Sequence, residues 1–289
     1  MFSSRLAVNA ALLLVAVIWG FGFVPQKLGM DYVGPAAFNA LRFSLGALTL
    51  LPVILFWQRE SPRPIGTETL RLGLGLGVLL FFGALLQQKA LLYTSVANVA
   101  FITGLYVIIV PMIGFFIGLR YALIVWSGGI IAIVGLYLMT GGSTDTSLKG
   151  DIIALMGAIM WALHIMLLAR KAGDHPQVPL AALQFVFCAV LSLVFALITE
   201  PILFPSEPLG FLWPAVNGVI VVGFAYTLQV VVMDKAEPFQ ASIIFSLEAV
   251  FGAIAGYWVF SESFTLAALL GAGLMLIGCL LAQVPESAN

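Results

Sequence analysis

The sequence predicts an all-α polytopic membrane protein, with ten transmembrane helices set as two inverted five-helix repeats around a central cavity. Three observations predict it. Of 289 residues, 62% are hydrophobic and 9% charged, where an average soluble domain carries roughly 25% charge. A mean hydropathy of +1.13 leaves too little polar surface to face water. The apolar residues fall into ten runs of about the 20 residues that a bilayer-crossing helix needs. Segments about half a chain apart also resemble one another, the mark of an internal repeat.

The ten runs cover 6–25, 35–57, 70–88, 95–119, 121–140, 151–170, 179–199, 212–233, 239–260 and 264–283, each bounded by charge, proline or glycine. The first follows Arg5. It has the look of a signal peptide, but Trp19, Phe21 and Phe23 stand where a small-residue cleavage site belongs, so it reads as a retained helix. The second carries Asn39 and Arg42 and ends at the most polar loop, Gln58 to Thr69. The third holds Gly73, Gly75 and Gly77. No Lys-Ser/Thr follows them, so they read as helix-packing positions rather than a phosphate loop. The fourth and fifth nearly touch at Arg120, and the fourth carries the Gly114/Gly118 pair. Gly141 to Gly150 is a clear break, after which the sixth run brings Trp161 and His164. The seventh and tenth hold Cys188 and Cys279, read as packing residues. The ninth holds Glu248 and the Gly252/Gly256 pair. No stretch is left for a soluble domain, so the chain reads as one transmembrane domain, with repeats of about 1–141 and 149–285.

Basic residues set the orientation. Arg5, Arg59, Arg63, Arg71, Arg120, Arg170, Lys171 and Lys235 fall on one side, and Lys27, Lys89 and Lys149 on the other. The richer side is expected in the cytoplasm, with both termini. A net charge of −1 removes the electrostatic basis for nucleic-acid binding.

The repeat is visible in two stretches. LRFSLGALTLLPVIL from Leu41 is echoed by LQFVFCAVLSLVFAL from Leu183, and Trp19 is matched by Trp161 at the same offset. Five spans per repeat force the halves into opposite topologies, and inverted halves create a site at their interface near the midplane.

Several residues stand out against the apolar background. Glu248 lies in mid-span, where an ionised carboxylate costs about 2.5–3.5 kcal/mol on insertion scales. It is either a contact for an amino group or protonatable switch, or a neutral packing group. His164 either lines a cavity or is a satisfied packing histidine, and no second His completes a metal site. Arg42, one turn from Asn39, either holds a substrate carboxylate or is structural, snorkelling outward or bonding helix-end carbonyls. Trp19 and Phe23 share a face. With Tyr106, Trp161, Tyr226 and Phe245 they form a set of aromatics inside spans rather than at the interfacial belts. As a set they read as cavity walls able to stack on a planar solute. Gln87 or Gln88 is expected to face the same cavity.

Taken together, Ala16-Val17-Ile18-Trp19-Gly20, Leu41-Arg42-Phe43, the run Tyr93 to Phe101 with Val110-Pro111, Ser246-Leu247-Glu248-Ala249-Val250-Phe251, and Ser261-Glu262-Ser263 resemble the drug/metabolite transporter superfamily and its EamA-type ten-helix exporters. The family pattern has Pro after the first Glu and Gly before the second, where this chain has Ala249 and Ser261. Within the family the sequence is most similar to bacterial exporters of aromatic amino acids. The resemblance implies a bacterial inner-membrane exporter of small metabolites working by alternating access, without a cofactor, as a monomer or weak homodimer. Substrate-binding residues are then expected among Trp19, Phe23, Gln87, Tyr106, Trp161, His164, Tyr226, Phe245 and Glu248. Asn39, Arg42, Gly114, Gly118, Gly252 and Gly256 take structural or gating parts. The first helix carries no acid, which favours facilitated diffusion or exchange over proton coupling, for which Glu248 is the candidate. The competing classes fare worse. An intramembrane enzyme needs an Asp pair, HExxH or Ser with His within its spans, and a scaffold or sensor usually carries a soluble domain.

Overall fold

A computed structural model describes residues 4–60, 65–94, 96–140, 147–260 and 265–282. Ser95 and the Ser261-Glu262-Ser263 motif lie outside the described residues. Those described are helical, with no strand among them. The helices are α1 Arg5–Gly29, α2 Pro35–Glu60, α3 Thr67–Ala90, α4 Val96–Gly104, α5 Tyr106–Phe116, α6 Leu123–Thr140, α7 Leu148–Lys171, α8 Gln177–Thr199, α9 Pro208–Val216, α10 Thr227–Met233, α11 Pro238–Ser246, α12 Glu248–Phe260 and α13 Leu266–Ala282. A π-helical segment, Asn217–Tyr226, joins α9 to α10. Eight helical segments are long and apolar enough to cross a membrane, counting Asn98–Phe116, Pro208–Met233 and Pro238–Phe260 as one each. Two shorter apolar helices, Leu123–Leu138 and Leu269–Leu281, complete the set.

Helix starts follow local chemistry. Ser4 Oγ accepts from Ala7 N at 3.2 Å and caps α1. Pro35 opens α2, and Glu200, at the end of α8, accepts from the free N–H groups of Ala36 and Ala37 at 2.8 and 2.9 Å. A carboxylate there satisfies orphan donors and complements the helix dipole. Glu237 plays the same part for α11, accepting from Phe239 and Gln240.

Two spans are broken at their centres. α4 ends one residue before Leu105 and α5 restarts at Tyr106, while α11 ends before Leu247 and α12 restarts at Glu248. The apolar runs through these points predict unbroken helices. A break inside a span is tolerated where the surrounding protein buries it, and Leu247, Tyr106 and Glu248 are all buried.

The packing comes in related pairs. α1 lies against α12, and α7 against α4 and α5. α3 packs on α7 and α8, and the π-helical segment on α1 and α2. α2 meets α8, and α6 meets α13. α1 and α12 approach most closely at Gly20, where a Cβ would stand 2.6 Å from the Glu248 carbonyl oxygen. Of the expected packing glycines, Gly252 faces Phe23 and Gly20, and Gly114 lies against the Tyr121 ring. Gly256 is buried in α12. Gly118 stands past the end of α5 with φ +85° and open space around it, a turn conformation that glycine adopts without strain. It therefore has no part in helix packing.

The basic residues sort to two ends. Arg5, Arg120 and Lys235 surround one vestibule. Next to Lys235, Asp234 lies against Gly173, and Thr69 Oγ1 pairs with His175 Nδ1 at 2.9 Å. At the other end Lys27 donates to the Leu91 carbonyl at 3.1 Å, and Lys149 lies over the Tyr93 ring.

Candidate functional site

The two helix breaks face each other across the middle of the molecule, and a small cavity lies beside them. Tyr106, first residue of α5, donates its hydroxyl to Glu248 Oε1, first residue of α12, at 3.0 Å. Both side chains line the cavity. At each break the C-terminal end of one helix and the N-terminal start of the next meet across a single residue, Leu105 or Leu247.

Aromatic rings form a continuous wall. Trp161 on α7 stacks on Tyr226 with ring centroids 5.8 Å apart and planes 17° apart. Tyr226 meets Trp19 of α1 at 4.9 Å, and Trp19 meets Phe245 of α11 at 5.0 Å. The Trp161 indole N–H donates to Gln87 Oε1 on α3 at 2.9 Å, which locks its orientation. Trp19 Nε1 is buried with no hydrogen-bond partner, as are both polar atoms of the Gln229 side chain and the Thr103 hydroxyl, all lining the cavity. Donors and acceptors left open around one space suit it to water or to a polar ligand. The free volume is about 20 Å³, room for about one water molecule, so the lining must part to admit a solute.

Arg42 enters the cavity from α2. Its Nη1 donates to Asn217 Oδ1 at 3.0 Å, and Asn217 Nδ2 donates to the Gly22 carbonyl at 3.0 Å. The guanidinium also lies 4.9 Å from the centre of the Phe43 ring. Only 2% of Arg42 is exposed, so it does not snorkel to an interface, and one of its readings from sequence is replaced by an inward-facing cation.

The other expected residues divide. Trp19, Gln87, Tyr106, Trp161, Tyr226 and Glu248 line the cavity, and Phe245 backs it through Trp19. Phe23 belongs instead to an apolar cluster with Ala16, Val99 and Leu247. His164 sits outside the lining. Its Nε2 pairs with Gln184 Oε1 at 2.8 Å, and its ring meets Trp161 edge-on. Asn39 is fully buried one turn from Arg42, its amide without partners, and is not part of the lining. Gln88 donates to the Gln26 carbonyl. No group of three metal-ligating side chains occurs among the described residues.

Gln26, Thr103, Ile165, Val221 and Gln229 also line the cavity and were not singled out from sequence. For Gln229 a signal was present in the repeat, which pairs it with Gln87; Gln26, Thr103, Ile165 and Val221 fall opposite different residues and carry no such mark. Tyr106 and Glu248 are 142 residues apart. The same separation relates Trp19 to Trp161, Gln87 to Gln229, and the breaks at Leu105 and Leu247.

The two ends of the molecule differ. At the Arg5 end a vestibule of about 610 Å³ opens between the start of α1, Tyr121 and the start of α11, bridged by a hydrogen bond from Arg5 to Gln240 at 2.9 Å. At the other end Asn98 donates to Asp151 and to Thr94, and Gly150 lies directly against Tyr93 and Thr94.

Comparison with known proteins agrees with this construction. A transporter of Archaeoglobus fulgidus described as uncharacterized is 28% identical over 97% of this chain and 87% of its own. The uncharacterized transporter YoaV of Bacillus subtilis is 23% identical, with 94% of each chain covered. One solved crystal structure shares the fold with a TM-score of 0.82 at 18% identity, over 97% of this chain and 99% of its own. A sequence model of the EamA-like transporter family matches residues 7–141 and again residues 148–283. With both halves matched and nearly the whole chain covered, the protein belongs to the EamA-like transporter family.

Proposed function

We propose that this transporter exports aromatic and other neutral amino acids across a bacterial inner membrane by alternating access. The observation that carries the reading is the aromatic wall of Trp161, Tyr226, Trp19 and Phe245 standing beside the buried Glu248. The wall stacks on a planar side chain, and the carboxyl group accepts from the amino group.

In this reading the chain has ten spans in two inverted halves, with both termini in the cytoplasm. Support comes from the tandem family match and from packing in pairs, such as α1 on α12 with α7 on α5. The 142-residue register of the cavity lining and the sorting of basic residues by end add to it. The vestibule at the Arg5 end and the Asn98–Asp151 hydrogen bond at the other support a conformation open to the cytoplasm.

The cycle runs as facilitated diffusion or exchange, since α1 carries no acidic residue. Proton coupling is the second reading, favoured by Glu248 being the one acid that lines the cavity. Counterflow in proteoliposomes tests both. Phenylalanine, tryptophan and tyrosine should exchange, at rates that a pH gradient leaves unchanged. Failure of all three while other metabolites exchange removes the substrate assignment. A strong pH-gradient dependence that vanishes in Glu248→Gln replaces exchange with proton coupling.

A further inference from the structure

Two ionisable side chains from opposite halves of the chain, Arg42 and Glu248, line one cavity, and neither meets an opposite charge there. The ion pair seen among the described residues joins Arg71 and Glu68 at the surface. Arg42 stays protonated in proteins. A cation kept in a membrane interior faces a partner or a cavity, and the partner Arg42 has is a neutral amide. Asn217 takes Nη1 and is itself held by the Gly22 carbonyl, so the guanidinium plane is set. Nε has no hydrogen-bond partner. The Nε–Nη2 edge left over is the fork that takes a carboxylate through two parallel hydrogen bonds. Across the cavity, the hydrogen bond that Glu248 accepts from Tyr106 goes to Oε1, which leaves Oε2 for a ligand.

We infer that the cavity is a zwitterion site, in which Arg42 holds the carboxylate of an α-amino acid while Glu248 holds its ammonium group. The inference rests on the amino-acid reading above and adds a requirement for both charged ends. It gives Arg42 the selection for the carboxylate. Arg42 stands on α2 and Glu248 on α12, so a bound zwitterion ties the two halves together across the aromatic wall. A solute with one charge leaves the other buried and uncompensated, which disfavours it.

The test is ligand-induced thermal stabilisation of the purified full-length protein by phenylalanine, phenethylamine and 3-phenylpropionate. The first carries both charges, the second lacks the carboxylate and the third lacks the ammonium. Wild type should prefer phenylalanine to either half-ligand by about 10- to 100-fold in half-saturating concentration. Arg42→Gln should weaken phenylalanine by a similar factor and leave phenethylamine binding at least as tightly as before. Glu248→Gln should erode the preference over 3-phenylpropionate instead. Arg42→Lys keeps a cation in the cavity without the planar fork. It should weaken phenylalanine about tenfold, and it serves if Arg42→Gln does not fold. Equal weakening of phenylalanine and phenethylamine in the Arg42 variants makes Arg42 a scaffold residue and overturns the inference. So does wild-type binding of phenethylamine as tight as that of phenylalanine. If wild type exchanges other metabolites and no amino acid stabilises it, the amino-acid reading itself fails.

Discussion

At the scale of single residues, a polar group in an apolar span signals that something is there without saying where it points. Arg42 and His164 stand out equally in the sequence. Arg42 turns into the cavity, while His164 turns to Gln184 between α7 and α8. Successive helix residues differ by about a quarter turn in direction, so only the neighbouring helix decides what each one meets. The aromatics are more legible because four of the six turn out to touch in one chain of rings. Trp161 is the residue to test. An aromatic contact is worth about 0.5–1.5 kcal/mol beyond its area. Trp161→Leu should therefore lower the preference for phenylalanine over leucine by about 2- to 10-fold, read as the ratio of half-saturating concentrations in counterflow. An equal loss for both solutes would remove Trp161 from the wall.

At the scale of elements, the spans were legible and their breaks were not. Apolar length identifies a helix that suits a bilayer, and Leu105 and Leu247 are as apolar as their neighbours. Each break is a single residue whose carbonyl still accepts from the first turn of the next helix, Leu105 from Ile108 and Ile109 and Leu247 from Val250 and Phe251, and no local pattern reports it. Close approach is the other element-level property. Gly20 lets α1 meet α12 with the Glu248 carbonyl and Phe251 at contact distance. Gly20→Leu should destabilise the protein by about 1–3 kcal/mol through overpacking, seen as a lower melting temperature in detergent. Gly273→Ala is the control. Its Cβ enters open space on α13, and alanine favours a helix, so its melting temperature should hold or rise. A Gly20→Leu protein as stable as wild type would mean that this contact is loose.

At the scale of the whole molecule, the 142-residue register gives the two ends equivalent parts. Asn98 corresponds to Gln240, and Asp151 to Asn9. Asn98 bonds Asp151 at one end, while Arg5 bonds Gln240 beside the open vestibule at the other. In the proposed alternating access these two closures take turns. A disulfide between Asn98→Cys and Asp151→Cys, in a background without Cys188 and Cys279, should arrest transport and release it on reduction. Full transport by the cross-linked protein would mean that this end does not open. The sequence by itself determined that the chain is a helical membrane protein and where its apolar helices lie, and it singled out the rare polar and aromatic residues within them. These follow from apolar length and composition, properties of the chain read locally, because a bilayer imposes the same demand on every span. The tertiary structure alone decided which of those residues share a cavity, that Arg42 faces inward, that Phe23 and His164 lie outside the lining, and where α4 gives way to α5 and α11 to α12. Each of these depends on the rotation of one helix against another, and that is set by contacts between residues far apart in sequence.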